Sequence, residues 1–161
     1  MSFKPEDLAI PLGSLVVVTG ANGYIASNVV DQLLLAGYRV RGCVRSIDRA
    51  KWLQPLFDGK YGAGKFELVE VPDMGKEGAY DEAMVGAAGL CHVATPVMES
   101  PDPNIGVTVV VNGTLNALEA AAKEPSVSLD KFRFLFGVPA LRQDPSWIAQ
   151  SGLTHLLCVK I

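Results

Sequence analysis

The stretch Leu15-Val16-Val17-Val18-Thr19-Gly20-Ala21-Asn22-Gly23-Tyr24-Ile25-Ala26 decides the fold. Its first five residues, four aliphatic and then Thr19, run without polar alternation, as a parallel strand covered on both faces should. They lead through Gly20 and Gly23 into a segment, residues 23–36, where Ile25, Val29, Leu33 and Leu34 recur at helical spacing. Gly37 then supplies a helix stop. Strand, glycine turn and helix in this order open a βαβ unit. In such a unit Gly20 permits the tight turn, Gly23 lets the backbone approach a pyrophosphate, and Ala26 lets the helix pack close to the strand. The helix start offers N–H groups and the positive end of its dipole to phosphates. Residues Thr19, Gly20, Ala21, Asn22, Gly23, Tyr24 and Ile25 are therefore candidates for holding a dinucleotide. The alternative, a glycine turn with no ligand, is disfavoured by the flanking strand and helix. No Gly-Lys-Ser/Thr ending follows, which excludes a P-loop.

Outward from this unit the alternation continues. Strands are expected over 38–44, 66–71, 90–94 and 131–136, and helices over 48–57, 77–85 and 105–123, the last closed by Pro125. A glycine-rich loop at 58–64 and a loop at 95–104 with three prolines punctuate the series. Five strands with intervening helices predict an α/β fold, a doubly wound parallel Rossmann-like sheet in the order 3-2-1-4-5. Its ligand crevice lies beyond the carboxyl ends of strands one and four. Residues 1–136 form the expected nucleotide-binding domain, and 137–161 a divergent tail with no substrate domain.

Composition narrows the partners. The 161 residues suit one domain, and 49% hydrophobic with 19% charged residues excludes a disordered chain. A net charge of −3 and a pI near 5.3 give no basic face for a nucleic acid or an anionic membrane. Residues 1–14 lack the apolar core of a secretory signal, and no apolar run reaches the roughly 20 residues needed to span a bilayer. Cys43, Cys91 and Cys158 are odd in number and widely spaced, which favours buried reduced thiols over a disulfide framework or zinc site. His92 and His155 lie in apolar segments and not at ligand spacing, so no metal is expected. A cytoplasmic protein is the expectation.

Strand two ends in Val44-Arg45, with Arg49 four residues on, where an NAD site would carry an acidic residue for the ribose hydroxyls. Two guanidinium groups there suit a 2′-phosphate, which favours NADP; the alternative is a pair of solvated surface arginines. Asp73, just past strand three, is placed to accept the exocyclic amine of an adenine or to cap a helix. Val93, Ala94 and Thr95 close strand four with small side chains beside the crevice. His92 reads as a packed, hydrogen-bonded core histidine rather than an acid or base.

Four segments carry a resemblance: Gly13-Ser14-Leu15-Val16-Val17-Val18 through Ile25-Ala26, Arg41-Gly42-Cys43-Val44-Arg45-Ser46, Lys65-Phe66-Glu67-Leu68-Val69 through Asp73-Met74, and Asn112-Gly113-Thr114-Leu115-Asn116-Ala117-Leu118. In collinear order they resemble the extended short-chain dehydrogenase/reductase superfamily, and within it the fungal NADPH-dependent aldehyde and ketone reductases related to dihydroflavonol reductase. The likeness covers about residues 10–136. It implies an NADP site formed by residues 20–25, Arg45, Arg49, Asp73, Met74 and the loop after Val93, and hydride transfer between the nicotinamide and a carbonyl carbon. It also implies a Ser after strand five and a Tyr with a Lys four residues later, to position the carbonyl and donate the proton. These are absent where they are needed: residues 137–142 read Gly-Val-Pro-Ala-Leu-Arg, and no tyrosine follows Tyr80. Tyr61 and Lys65 match the spacing, but in the loop before strand three, where the family uses no catalytic residue.

Two readings of residues 137–161 stay open. They are foreign to the fold, or they hold a short helix after Asp144-Pro145 and a sixth strand at 154–161 that follows an internal deletion. The expected function is an NADP-binding domain of carbonyl reductase type that is catalytically incompetent as it stands. A small carbonyl substrate is expected only if a full-length form exists. The alternatives are a non-catalytic NADP-binding regulatory module and an interaction module. In the last, the edge of strand five, with Phe132, Phe134 and Phe136, supports self-association.

Overall fold

A computed structural model of the chain describes residues 10–95 and 103–127. The elements are β1 (Leu15–Thr19), α1 (Tyr24–Leu35), β2 (Arg39–Val44), α2 (Ile47–Ala50), α3 (Leu53–Tyr61), β3 (Phe66–Glu70), α4 (Asp81–Met84), β4 (Gly89–His92) and α5 (Pro103–Lys123). The strands form one parallel sheet in the order β3-β2-β1-β4, as expected for its first four members. The expected strand at 131–136 with its association edge, the sixth strand, and residues 96–102 lie outside the described residues.

Register aligns the carboxyl ends of the strands. Thr19 pairs with Cys43 on one side and His92 on the other, and Val44 pairs with Glu70. Alternation along β1 feeds two cores. Val16 and Val18 pack with Val30 and Leu34 of α1 and Leu53 and Phe57 of α3. Val17 packs on the opposite face with Tyr80, Met84, and Ala117 and Ala121 of α5. A strand buried on both faces has no polar side to show, which is why its sequence does not alternate.

Two helical expectations are corrected. The helix expected at 48–57 is two helices, and the second runs to Tyr61, through residues expected to form a glycine-rich loop. Burial of Phe57 and the bond from the Tyr61 hydroxyl to Asp31 Oδ1, at 2.8 Å, outweigh the low helix propensity of Gly59. Gly62, at φ +90°, ends the helix. Conversely, the helix expected at 77–85 is only the single turn Asp81–Met84, because Gly78 at φ +71° lies in the left-handed region that no α-helix contains.

Arg41 in β2 ties α4 to the sheet. Its guanidinium pairs with Glu67 at 2.6 Å and donates to the carbonyls of Ala83 and Val85 at 2.8 and 2.9 Å, oxygens that the end of the helix leaves without intrahelical partners. No helix among the described residues is long and apolar enough to cross a membrane.

Gly42 sits where β2 passes beneath the turn after β1. A Cβ there would lie 2.7 Å from the Ala21 Cβ and 3.0 Å from Phe66 Cε2, inside van der Waals contact with a buried wall. Gly42→Ala is expected to cost about 1–3 kcal/mol by overpacking, read as a lower chemical-denaturation midpoint. A midpoint equal to the parent's would show that the turn relaxes freely.

Candidate functional site: a cavity at the carboxyl ends of the strands

The turn from β1 into α1 is tight. Gly20 has φ +69°, its carbonyl accepts the Gly23 N–H at 2.8 Å, and the Ala21 N–H reaches across to the Cys43 carbonyl at 3.1 Å. A Cβ on Gly20 would lie 3.1 Å from the Ala94 Cα, so the glycine supplies both the left-handed backbone and the close approach of the loop after β4. Gly23 is the N-cap of α1, whose start has no side-chain cap and no acidic residue in its first turn. The dipole end is thus left for an external anion.

Beside this turn lies a cavity of about 590 Å³. The turn contributes Gly20, Asn22, Gly23, Tyr24 and Ile25; the end of β2 contributes Cys43, Val44 and Arg45. Asp73 and Met74 line it from the loop after β3, and Val93, Ala94 and Thr95 from the loop after β4. Eleven of the fourteen candidate residues therefore surround one space. Thr19 and Ala21 are fully buried behind it, and Arg49, exposed on α2, is not among its lining.

Thr19 organises the β4 side. Its hydroxyl oxygen accepts the N–H groups of Val93 at 2.9 Å and Ala94 at 3.0 Å, and lies 3.0 Å from His92 Nδ1. With both lone pairs of the oxygen engaged, the hydroxyl proton goes to Nδ1, which makes His92 the neutral Nε2–H tautomer. Burial also holds the His92 pKa below its usual 6.5. His92 is thus a hydrogen-bonded core histidine, in edge contact with the Tyr80 ring at a centroid distance of 6.2 Å.

Tyr80, Cys43, Val71 and Val109 also line the cavity and were not among the sequence candidates. Cys43 had a usable signal: side chains alternate along β2, and Arg41 and Cys43 share the face opposite Val40 and Val44. Tyr80 and Val109 had none, being brought in by the packing of α4 and α5. Burial, with the Cys43 thiol beside it, pushes the Tyr80 phenol above its ordinary range, and burial pushes the Cys43 thiol up to about 12. Both stay neutral at physiological pH.

Asp73 caps no helix, since α4 begins eight residues later; its Oδ1 accepts the Gly75 N–H at 2.8 Å and closes a turn. Glu70, at the end of β3, accepts the Ile47 N–H at 3.3 Å at the start of α2. Tyr61 bonds to Asp31 on the α1–α3 face and does not line the cavity, so its spacing to Lys65 has no counterpart at the site.

Thr19→Val keeps the shape but leaves the Val93 and Ala94 N–H groups without an acceptor, at an expected cost of about 2–4 kcal/mol. Thr19→Ser is expected to retain most of the parent's stability in the same thermal-unfolding series. For His92, the folded chain takes up a proton less readily than the unfolded one, so the stability it contributes is present above about pH 6.5 and lost as the pH falls below that value. Denaturation midpoints across this acid range are expected to fall less steeply for His92→Asn, whose amide oxygen is a non-titrating acceptor for Thr19. Identical slopes would remove His92 as the source.

Comparison with known proteins agrees with this architecture. The chain is 52% identical over 124 residues to aldehyde reductase 2 of Sporidiobolus salmonicolor, covering 77% of this chain and 36% of that protein. It is 44% identical over 118 residues to the ketoreductase nvfG of Aspergillus novofumigatus, covering 73% and 34%. Among solved structures, the NADPH complex of Gre2 from Candida albicans superposes with a TM-score of 0.61 at 33% identity, over 70% of this chain and 33% of that one. The NADPH complex of the yeast methylglyoxal/isovaleraldehyde reductase Gre2 gives 0.59 at 32%, over 68% and 33%. The chain thus spans about a third of the length of these relatives. Residues 17–129 match the 3-beta hydroxysteroid dehydrogenase/isomerase family, and the chain belongs to that family.

Proposed function

We propose that the chain is the NADP(H)-binding part of a reductase that acts on aldehydes or ketones. The observation that carries this reading is the cavity itself. Around one space it gathers an uncapped helix start, a glycine turn with no room for a side chain, an arginine at the end of β2 and an Asp-Met loop after β3. This set suits a dinucleotide phosphate. Residues 20–25 would face the pyrophosphate, Arg45 would pair with the 2′-phosphate, and Asp73 and Met74 would flank the adenine. Val93, Ala94 and Thr95 would border the nicotinamide end. Arg49, exposed on α2 four residues beyond Arg45, is the second candidate for the 2′-phosphate.

Arg45, exposed at the end of β2, lines the cavity, whereas Glu70 does not and its carboxylate accepts the first amide of α2. The relatives, an aldehyde reductase, a ketoreductase and two reductases solved with NADPH, support the cofactor and the carbonyl class.

Bound NADPH supplies a hydride to the carbonyl carbon of a substrate. The residues described at the cavity bind and orient; burial pushes the Tyr80 phenol and the Cys43 thiol up, so both stay protonated there. With no tyrosine after Tyr80, and so no Tyr-x-x-x-Lys pair after residue 136, this chain by itself binds the cofactor without turning over carbonyls.

Titrating the 161-residue chain into NADPH and following nicotinamide fluorescence tests the reading. Saturable binding is expected, with Arg45→Ala weakening NADPH about tenfold or more through loss of a charge-assisted contact and changing NADH less than about twofold. No saturable signal, or equal losses for both cofactors, would overturn it. Under the same conditions, steady consumption of NADPH with a carbonyl panel would overturn the absence of turnover.

A further inference from the structure

The geometry points to Asn116 of α5 as the residue that positions the loop after β3, and through it the adenine end of the cavity. Asn116 is 8% exposed and belongs to no phosphate-binding turn. Its side-chain amide donates both hydrogens, one to the Met74 carbonyl and one to the Lys76 carbonyl, each at 2.8 Å. Two carbonyls two residues apart are thus held by one planar group. Between them the Gly75 N–H donates to Asp73 Oδ1 at 2.8 Å, so the loop is pinned from α5 on one side and by its own aspartate on the other.

Gly113, one helical turn earlier, completes the contact. A Cβ at this position would collide with Met74 Cε and lie 3.0 Å from Met74 Cγ, so the missing side chain is the slot in which Met74 rests. Asp73 and Met74 both line the cavity, whereas neither Asn116 nor Gly113 does. The pair therefore acts on a ligand only through the loop. The donor count makes the residue type specific. Aspartate would set a carboxylate against two carbonyl oxygens, and leucine of similar volume would leave both oxygens without their donors.

This inference rests on the NADP reading for the identity of the ligand, but the loop's order can be measured without one. The 161-residue chain, Asn116→Leu, Gly113→Ala and a remote core variant, Phe57→Leu, are compared in two measurements. Calorimetry gives the affinities for NADPH and for 2′,5′-ADP, which carries the adenine half alone. Amide hydrogen exchange gives the protection of residues 72–79 in the absence of ligand.

For Asn116→Leu both affinities are expected to fall about tenfold, with exchange in 72–79 faster by about tenfold and exchange in β1 and α1 unchanged. Phe57→Leu is expected to lower the melting temperature and leave both affinities and the 72–79 exchange as in the parent. Parent-like affinity or parent-like exchange in Asn116→Leu overturns the inference. If Asn116→Leu does not fold, Gly113→Ala decides by the same two measurements, because it displaces only the Met74 side chain. If the parent binds neither ligand, the NADP reading fails, and the exchange of 72–79 alone decides whether Asn116 positions the loop.

Discussion

The structure depends on β1 having no access to solvent. All five of its residues are buried, β2 and β4 flank it, and helices cover both of its faces. A polar atom in such a strand must be satisfied inside the protein, because an unpaired buried donor or acceptor costs the full desolvation of the group. Thr19 is its one polar side chain, and its hydroxyl takes two amides of the loop after β4 and faces the ring nitrogen of His92. The requirement that closes the core is therefore the one that fixes one wall of the cavity.

The remaining walls follow from close approach. Gly20 lets the loop after β4 come within contact of the glycine turn, and Gly42 lets the Ala21 methyl settle over β2. Val44, at the end of β2, is buried and Arg45 is exposed, so the guanidinium stands at the rim where the strand leaves the sheet. Of the cavity lining, the Cys43 thiol and the Tyr80 phenol are shifted toward their neutral forms by burial.

Most of this site was legible in the sequence because turn chemistry is local. Gly20 and Gly23 are dictated by backbone conformation within a few residues, and the apolar run before them already implies a strand with both faces covered. The extents of α3 and α4 were not legible. Gly59 is carried in a helix because Phe57 and Tyr61 find partners on α1 and β3, while Gly78 breaks one because its backbone lies in the left-handed region. Thr19 and Ala21 were identified with the ligand, and the structure places both behind the cavity, where their work is to hold its walls.

The order of apolar runs and glycines by itself determined the parallel sheet, the position of the crevice and the cluster from Gly20 to Ile25, since each follows from backbone sterics and burial within one βαβ unit. Tertiary structure alone decided which polar atoms meet. Thr19 and the amides of Val93 and Ala94 are more than seventy residues apart in the chain, and Asn116 reaches back about forty to Met74 and Lys76. Hydrogen bonds of a few ångströms between elements that meet only after the sheet has formed leave no period or spacing in the sequence. Which buried donor serves which carbonyl is set by packing.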